Sequence, residues 1–473
     1  MKNYTSFSTV REDLSAGAVT CIDLTSDYIH KISQSATNSF LEVFETTALA
    51  KAKEVDEKLK NNAAGKLAGM VIGIKDNICY KGHKVSGASK ILEGFESVYS
   101  ATVVEKLLAE DAIIIGRLNC DEFAMGGSNE NSAYGNVLNP VDSSKVPGGS
   151  SGGSAAAVKE GLCLATLGSD TGGSIRQPAS FCDIVGYKPT YGRVSRYGLL
   201  AYASSFDQIG PLTNNIEDSA LITEVISGKD KYDSTSSSKE VENYSQVLNL
   251  TKGKKLKIAY LTDCLASSGL DSEIKDKTNQ LIEELKLKGH EVEGVGFPFL
   301  DYVVPNYYVL TTAEAASNLS RYDGGHFGYR SPKSDGLEST YIYSRSEGFG
   351  PEVKRRIMLG TFVLSAGYYD AYYTKGLRVR NMIKAKTEEI FNDYDFILLP
   401  TTPTTAFGIG ENIEDPITMY LQDIFTVHAN LAGIPAISLP LGQHSNGLPF
   451  GIQLMAKRFD DAKLLAFSNE LMS

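Results

Sequence analysis

The chain has 473 residues, enough for two or three average domains or for one large α/β domain. Hydrophobic residues account for 42% and charged residues for 22%, and the net charge of −11 argues against a chain that grips nucleic acid by itself. Apolar runs stay well short of the roughly 18 residues that a membrane helix needs, and the first residues lack an apolar signal region. We therefore expect a cytoplasmic protein without a membrane anchor.

The cysteines and histidines are scattered along the chain, and no C-x-x-C pair occurs. This spacing predicts buried thiols in a reducing compartment and no metal site. The cysteines are Cys21, Cys79, Cys120, Cys163, Cys182 and Cys264, and the histidines are His30, His83, His290, His326, His428 and His444.

Residues 8–61 are predicted to be mostly helical, with helices over 10–16, 24–33 and 45–60. An apolar run at 69–74 then predicts a short buried strand. Lys75 stands at the end of that run, where a lysine either reaches solvent along its apolar stem or is held for chemistry. Taken alone, this position favours the first interpretation.

The rest of the chain alternates strand-like runs with helices, which predicts an α/β fold with a sheet covered by helices. Residues 119–140 are interpreted as a loop-rich stretch, and the polar segment 229–249 as an exposed connection. The predicted helices are 103–110 and 272–288, and the predicted strands are 112–116, 257–261, 396–400, 436–439 and 450–454.

Two glycine-serine clusters, at 148–154 and 172–174, flank an alanine-rich segment at 155–165 that we predict to be helical. Glycines let the backbone approach a ligand closely, so a serine among them can present its hydroxyl beside backbone N–H groups. A flexible linker is the simplest alternative, but linkers seldom enclose an apolar helical segment. A phosphate loop would need a lysine after the glycines, and the G-x-S-x-G elbow has Asp170 at its centre here.

The sequences GSSGGS at 149–154 and DTGGSIRQP at 170–178 resemble the signature of the amidase signature family. That family uses a Ser-Ser-Lys triad whose lysine ends a short upstream strand, and VIGIKDN at 71–77 matches this element. The resemblance implies an amidase signature fold, a large mixed β-sheet with helices on both faces. It implies one domain over 1–473, with a helical segment over about 1–60 and a signature core over about 65–215.

The resemblance implies that Ser174 attacks an amide carbonyl, Ser150 relays its proton, and Lys75 sets the proton balance. A serine needs a base, and lysine is one only when its pKa falls from about 10.4 toward the working pH. Burial beside hydroxyls would lower it, while Asp76 would oppose this unless it faces the other side of the strand.

Further roles around the triad follow from the same resemblance. The Gly149–Ser150 peptide is expected to be cis. Backbone N–H groups of Thr171, Gly172, Gly173 and Ser174 are expected to face an oxyanion, and Asp170 and Arg176 to brace their loop. For Ser151 and Ser154 we expect only capping or turn hydrogen bonds.

Stretches 305–309, 313–324, 353–361, 366–373 and 419–426 resemble one subfamily, the A subunits of glutamyl-tRNA(Gln) amidotransferases. This implies a glutaminase that passes ammonia to a tRNA-binding partner, in a complex with a small third subunit. ATP, with magnesium, would be used by the partner, and this chain would hold no cofactor. The sequence leaves open whether Asp-tRNA(Asn) is also amidated.

Glutamine carries a carboxylate and an ammonium, so its pocket should offer one cation and one anion. The resemblance assigns Arg356 to the carboxylate, Asp423 to the ammonium and Tyr307 to a hydroxyl contact, with Arg355 and Tyr308 as neighbouring alternatives. Two features depart from the family pattern. Ser128, which the resemblance assigns to the substrate pocket, lies in Gly-Ser-Asn where Ser-Ser-Thr is expected. The chain also ends at Ser473 without the longer tail of many relatives.

Two other functions remain open from the sequence. A stand-alone hydrolase of small amides would use the same triad, and glutamine turnover that responds to a partner, glutamyl-tRNA and ATP distinguishes the two. A scaffold protein that has lost catalysis is the other alternative, against which the intact triad residues argue.

Overall fold

The computed structural model describes residues 2–411 and 416–473. In this part of the chain eleven strands form one mixed sheet. The strands are β1 Phe40–Val43, β2 Val71–Lys75, β3 Ile113–Leu118, β4 Ala165–Asp170, β5 Val185–Lys188, β6 Gln208–Thr213, β7 Lys257–Leu261, β8 Glu291–Val295, β9 Phe396–Pro400, β10 Ala436–Gln443 and β11 Pro449–Ala456. Their order across the sheet is β1-β3-β2-β4-β6-β5-β10-β11-β9-β7-β8. The predicted large mixed sheet is therefore confirmed.

Sixteen α-helices lie within the described residues. They are α1 Phe7–Ser15, α2 Cys21–Gln34, α3 Glu45–Lys60, α4 Thr102–Ala109, α5 Gly152–Lys159, α6 Arg176–Phe181, α7 Ile216–Ile226, α8 Thr262–Leu265, α9 Ser272–Leu287, α10 Leu300–Asn318, α11 Leu337–Gly348, α12 Pro351–Leu364, α13 Lys375–Asp393, α14 Pro416–Leu421, α15 Val427–Ala432 and α16 Asp461–Met472. Of these, none is both long enough and apolar enough to cross a membrane.

Both faces of the sheet are buried at its centre. Ile72 and Ile74 of β2 pack in one apolar cluster, whereas Val71 belongs to a second cluster. Alternate residues of a strand point to opposite faces, so these two clusters lie on the two sides of the sheet. Burial on both faces explains why the sequence of β2 is a continuous apolar run and does not alternate with polar residues.

The central strands bring the two signature motifs to one edge. Strand β2 runs parallel to β4, with Ile74 opposite Leu167. Parallel strands present the same ends at the same edge, so Lys75 lies beside the last residues of β4. The turn that follows Asp170 therefore begins next to the lysine.

The N-terminal segment is mostly helical, as predicted, and it also contributes the four-residue strand β1, which pairs with β3 at one edge of the sheet. One prediction about the elements is wrong. The alanine-rich segment is not one helix, because α5 ends at Lys159 and the chain turns at Gly161, whose φ is +73°. Strand β4 then begins at Ala165, since the apolar residues that follow the turn are buried between β2 and β6.

Candidate active site

Lys75 is buried at the end of β2 and surrounded by serine hydroxyls. Its Nζ donates to Oγ of Ser150 at 2.7 Å, of Ser151 at 2.9 Å and of Ser169 at 3.0 Å. Burial lowers the pKa of Lys75 from 10.5 to about 8, because its nearest partners are hydroxyls rather than carboxylates. Lys75 can therefore exchange a proton near neutral pH.

The neighbouring Asp76 faces the other way, as the alternation of strand side chains predicts. Its carboxylate accepts hydrogen bonds from Arg117 Nη1 at 2.8 Å and from Ala88 N at 2.7 Å. These contacts keep its charge away from the Lys75 ammonium, so the possible conflict between the two residues does not arise.

Ser150 is placed by a backbone segment that accepts only glycine before it. The Gly149–Ser150 peptide is cis, as the resemblance implied. A side chain on Gly149 would put its Cβ 2.1 Å from Asp121 Oδ2, and Gly149 N donates to Gln177 Oε1 at 2.8 Å. These contacts fix the position of Gly149 and, through the cis peptide, that of Ser150.

Ser174 lies in the turn between β4 and α6 and is 8% exposed. Its carbonyl accepts a hydrogen bond from Ser151 N at 3.2 Å, which joins the two glycine-serine clusters. Within the described residues, no hydrogen bond joins the hydroxyls of Ser174 and Ser150. The structure thus places Lys75 and Ser150 in direct contact and brings Ser174 beside them through the backbone.

The turn before Ser174 differs in one respect from the prediction. Gly173 N donates to Asp170 Oδ1 at 2.9 Å, so this amide is occupied and does not face an oxyanion. The amides of Thr171, Gly172 and Ser174 make no hydrogen bond within the described residues, and they remain available to a ligand. A side chain on Gly173 would place Cβ 2.3 Å from Thr426 Oγ1, which explains the glycine.

Asp170 and Arg176 form a fully buried bidentate ion pair. Arg176 Nε lies 3.0 Å from Oδ2 and Nη2 lies 2.9 Å from Oδ1 of the carboxylate. Burial alone would raise the pKa of Asp170, but the guanidinium outweighs it and lowers that pKa to about 2. Arg176 Nη1 also donates to Thr426 O at 2.8 Å. The pair therefore ties the turn to the segment that leads into α15.

A cavity of about 540 Å³ approaches the catalytic residues at Ser128, whose backbone N would lie 2.8 Å from a Cβ on Gly149. Lys75, Ser150 and Ser174 are not among its lining residues. The residues from the sequence prediction that line it are Ser128, Tyr308, Arg355, Arg356 and Asp423. Tyr307 is not among the lining residues, because its ring packs against Gly172, where a Cβ would lie 2.6 Å from its hydroxyl oxygen. Tyr308, which the sequence analysis named as the alternative to Tyr307, is among the lining residues.

The cavity offers one buried cation, Arg356, and one partly buried carboxyl group, Asp423. Arg356 is 4% exposed, and its Nε donates to Glu352 Oε1 at 2.8 Å. Asp423 Oδ2 accepts from the Tyr308 hydroxyl at 3.3 Å. Burial raises the pKa of Asp423 to about 7, although Arg356 acts in the opposite direction. Arg355 is more exposed, with 42% of its side chain accessible.

Sequence reasoning missed several residues of the site. Ser151 contacts Lys75 instead of making only a turn hydrogen bond, whereas Ser154 does contact a backbone carbonyl, Leu167 O, at 3.5 Å. Ser169 was not considered, although the parallel pairing of β2 and β4 would have placed it near Lys75. The missed residues are Ser151, Ser169, Gln177 and Glu352.

The predicted buried thiols are confirmed, since all six cysteines are buried. Across residues 2–411 and 416–473, no group of three or more histidine, cysteine, aspartate or glutamate side chains is arranged to hold a metal ion.

Comparison with known proteins tests the family resemblance. The amidase family model matches residues 23–465. The chain belongs to the amidase family. It is 51% identical to the A subunit of glutamyl-tRNA(Gln) amidotransferase of Chlorobium phaeobacteroides (strain DSM 266 / SMG 266 / 2430), over 98% of each chain. The A subunit of glutamyl-tRNA(Gln) amidotransferase from Thermotoga maritima, known from a crystal structure, is 41% identical, with a TM-score of 0.76 over 95% of this chain and 93% of that one.

A more distant amidase shares the fold as well. The crystal structure of an amidase is 27% identical and has a TM-score of 0.83, covering 99% of each chain. The fold of the amidase family is therefore common to the amidotransferase chains and to this amidase, while sequence identity is much higher to the former.

Proposed function

We propose that this chain is the glutamine-hydrolysing A subunit of a glutamyl-tRNA(Gln) amidotransferase and that it works in the cytoplasm. The observation that carries the proposal is a cavity lined by the buried Arg356 and by Asp423, which approaches the Lys75–Ser150 contact through its lining residue Ser128, the neighbour of Gly149. This combination suits an amide that also carries an α-carboxylate and an α-ammonium. High identity over nearly the whole chain to amidotransferase A subunits supports the same function.

In the proposed reaction, the Ser174 hydroxyl attacks the side-chain amide carbon of glutamine. Ser150 takes the Ser174 proton and passes one to the leaving amide nitrogen, so that ammonia departs and a glutamyl ester of Ser174 remains. Water then attacks the ester, and glutamate and free Ser174 result. Neutral Lys75 accepts and returns the proton through Ser150, which it contacts directly.

The substrate is held by opposite charges at its α-carbon. Arg356 binds the α-carboxylate and Asp423 binds the α-ammonium, since both line the cavity, where Arg356 is buried and Asp423 is partly buried. Ser128 and Tyr308 line the same cavity, and the Tyr308 hydroxyl contacts Asp423. Free amides of Thr171, Gly172 and Ser174 stabilise the oxyanion.

The proposed assembly contains a tRNA-binding partner and a small third subunit. The partner would bind glutamyl-tRNA, because this chain has a net charge of −11 and lacks the excess of basic residues that tRNA binding favours. The use of ATP and magnesium by the partner is proposed from the family resemblance alone. The relatives are named as subunits. Apolar side chains of α12 are exposed, with 73% of Met358 and 44% of Phe362 accessible to solvent. Exposed apolar side chains of this kind support a surface that a partner subunit covers. We treat residues 1–473 as one domain, which the single sheet supports.

Ammonia release from glutamine tests the proposal. The purified chain alone should release little ammonia, and adding the partner subunits, glutamyl-tRNA(Gln) and ATP should stimulate release strongly and yield glutaminyl-tRNA. Fast hydrolysis of unrelated small amides that is indifferent to tRNA would instead establish the stand-alone amidase.

The proposed proton transfers predict a specific pH dependence. Lys75, with a pKa of about 8, must be neutral, and Asp423, with a pKa of about 7, must be ionised to bind ammonium. We therefore expect kcat/KM for glutamine to rise with pH through steps near 7 and near 8. At saturating glutamine, kcat should keep only the step near 8, because Asp423 is already paired with substrate.

The two steps can be separated with one variant. Asp423→Asn should remove the lower step of kcat/KM and leave the dependence of kcat on pH in place. Ammonia release is measured directly between pH 6 and 9 with the assembled complex. A kcat that is independent of pH across this range would show that Lys75 does not act as the base.

A further inference from the structure

Arg356 is held on all sides but one. Its Nε donates to Glu352 Oε1 at 2.8 Å, and its Nη1 donates to the Tyr202 hydroxyl at 2.9 Å. The guanidinium also lies 5.2 Å from the ring centre of Tyr308 and 5.5 Å from that of Tyr420. Its Nη2 makes no hydrogen bond within the described residues, and Arg356 lines the cavity. One edge of the guanidinium is thus left for a ligand.

Glu352 is the residue that fixes this orientation, and both of its oxygens are engaged by protein. Oε1 accepts from Arg356 Nε and also from the Tyr420 hydroxyl at 2.9 Å, while Oε2 accepts from Arg355 Nη1. Burial would raise the pKa of Glu352, but the Arg356 guanidinium outweighs it and the pKa is lowered. Glu352 therefore stays ionised and is not free to contact a substrate.

The charges of this group leave a surplus that can attract an anion. Arg355 and Arg356 carry two positive charges, and Glu352 carries one negative charge. If Arg356 and Glu352 stood alone, their charges would cancel and a carboxylate would gain little from the pair. With Arg355 included, the group keeps one net positive charge. Because Glu352 also pairs with the more exposed Arg355, the buried Arg356 can still bind a carboxylate.

We propose that Glu352 is a positioning residue for substrate recognition, which holds Arg356 so that the free edge of its guanidinium meets the α-carboxylate of glutamine. The inference rests on the proposed function. Tyr420 supports Glu352 through its hydroxyl, and its ring stacks on Tyr308 with centres 3.9 Å apart. Because the Tyr308 hydroxyl contacts Asp423, this stack joins the sites for the carboxylate and for the ammonium.

The test compares two substrates in the assembled complex. Glutamine has the α-carboxylate, and 4-aminobutanamide is the same molecule without it. Glu352→Gln keeps the size of the side chain and removes its charge. We expect the KM for glutamine to rise about 10- to 100-fold, as for a lost charged hydrogen bond, and kcat to stay within about 2-fold. For 4-aminobutanamide, kcat/KM should stay within about 2-fold of the unmodified complex.

Glu347→Gln is the matched control, since Glu347 lines the same cavity and its hydrogen bonds go to Lys333 and Tyr329 instead of Arg356. This variant removes the same charge and should leave both substrates within about 2-fold of the unmodified complex. An equal loss on both substrates in Glu352→Gln, or a loss confined to kcat, would overturn the positioning role and indicate a structural one.

Tyr420→Phe provides a second route if Glu352→Gln does not fold. It removes the hydroxyl that donates to Glu352 and keeps the ring on Tyr308. We expect the KM for glutamine to rise about 2- to 5-fold with no change for 4-aminobutanamide. An unchanged KM for glutamine in this variant would contradict the proposal.

Different results would overturn the role of Glu352 and the proposed function. If the unmodified complex hydrolyses glutamine but does not prefer it to 4-aminobutanamide, the inference about Glu352 is overturned and the glutaminase remains. If the unmodified complex does not hydrolyse glutamine at all, the proposed function itself is wrong.

Discussion

Ser174→Ala will abolish ammonia release from glutamine in the assembled complex and leave the transfer of added ammonia to glutamyl-tRNA intact. The alanine lacks the hydroxyl that attacks the amide, and loss of a nucleophile typically lowers kcat by about 10⁴-fold or more. Ser174 lies in a turn whose contacts are made by its backbone, so the fold should tolerate the change. Both reactions are measured on one preparation, with glutamine or an ammonium salt as the nitrogen donor.

Ser154→Ala is the matched control for this prediction. Ser154 belongs to the neighbouring glycine-serine cluster and is buried, but its hydroxyl contacts Leu167 O rather than Lys75. This variant should keep most of the glutamine-dependent activity. Lys75→Ala should behave like Ser174→Ala, because Ser150 then loses its proton acceptor. Loss of ammonia-dependent transfer in Ser174→Ala would mean that the substitution disrupts assembly instead of chemistry.

Much of the fold follows from local sequence patterns. Helix Glu45–Lys60 and strands Lys257–Leu261 and Phe396–Pro400 have the bounds predicted from periodicity. Strands β5 and β6 were missed because their sequences, VGYK and QIGPLT, contain glycine and proline and lack the alternation of a half-buried strand. They form in the sheet because β4 and β10 supply their partners, and these contacts are distant in sequence.

The site shows the same division between local motif and distant contact. The contact between Lys75 and Ser150 was expected from two motifs, and the structure places these side chains 2.7 Å apart. Glu352 could not be found this way, because its role depends on a spacing of four residues to Arg356 and on Tyr420, which comes from another helix. The oxyanion role of Gly173 was predicted wrongly, because a motif does not show where each N–H points. In the structure the Gly173 N–H donates to the carboxylate of Asp170.

Arg176→Ala will lower the free energy of unfolding by about 3–5 kcal/mol, the usual result of removing one partner of a buried ion pair. Arg176 and Asp170 are both fully buried, and the variant leaves the Asp170 carboxylate without its guanidinium. The turn that carries Ser174 also loses the arginine contact to Thr426 O, so glutamine-dependent activity should fall with stability. Urea unfolding of the purified chain at pH 7 measures the change.

Lys159→Ala serves as the control, because the Lys159–Asp183 pair is partly exposed and should contribute less than about 1 kcal/mol. The pH dependence of the free energy of unfolding shows whether the lost ion pair causes the destabilisation in Arg176→Ala. In the unmodified chain the pKa of Asp170 is lowered from 3.8 to about 2, so this pair stabilises the fold above pH 4 and the contribution is lost as pH falls through 2. In Arg176→Ala the unpaired carboxylate has a raised pKa and is neutralised as pH falls from 7. The difference in stability should therefore shrink toward pH 3, and a difference that stays constant would assign the loss to packing around Arg176 instead of to its charge.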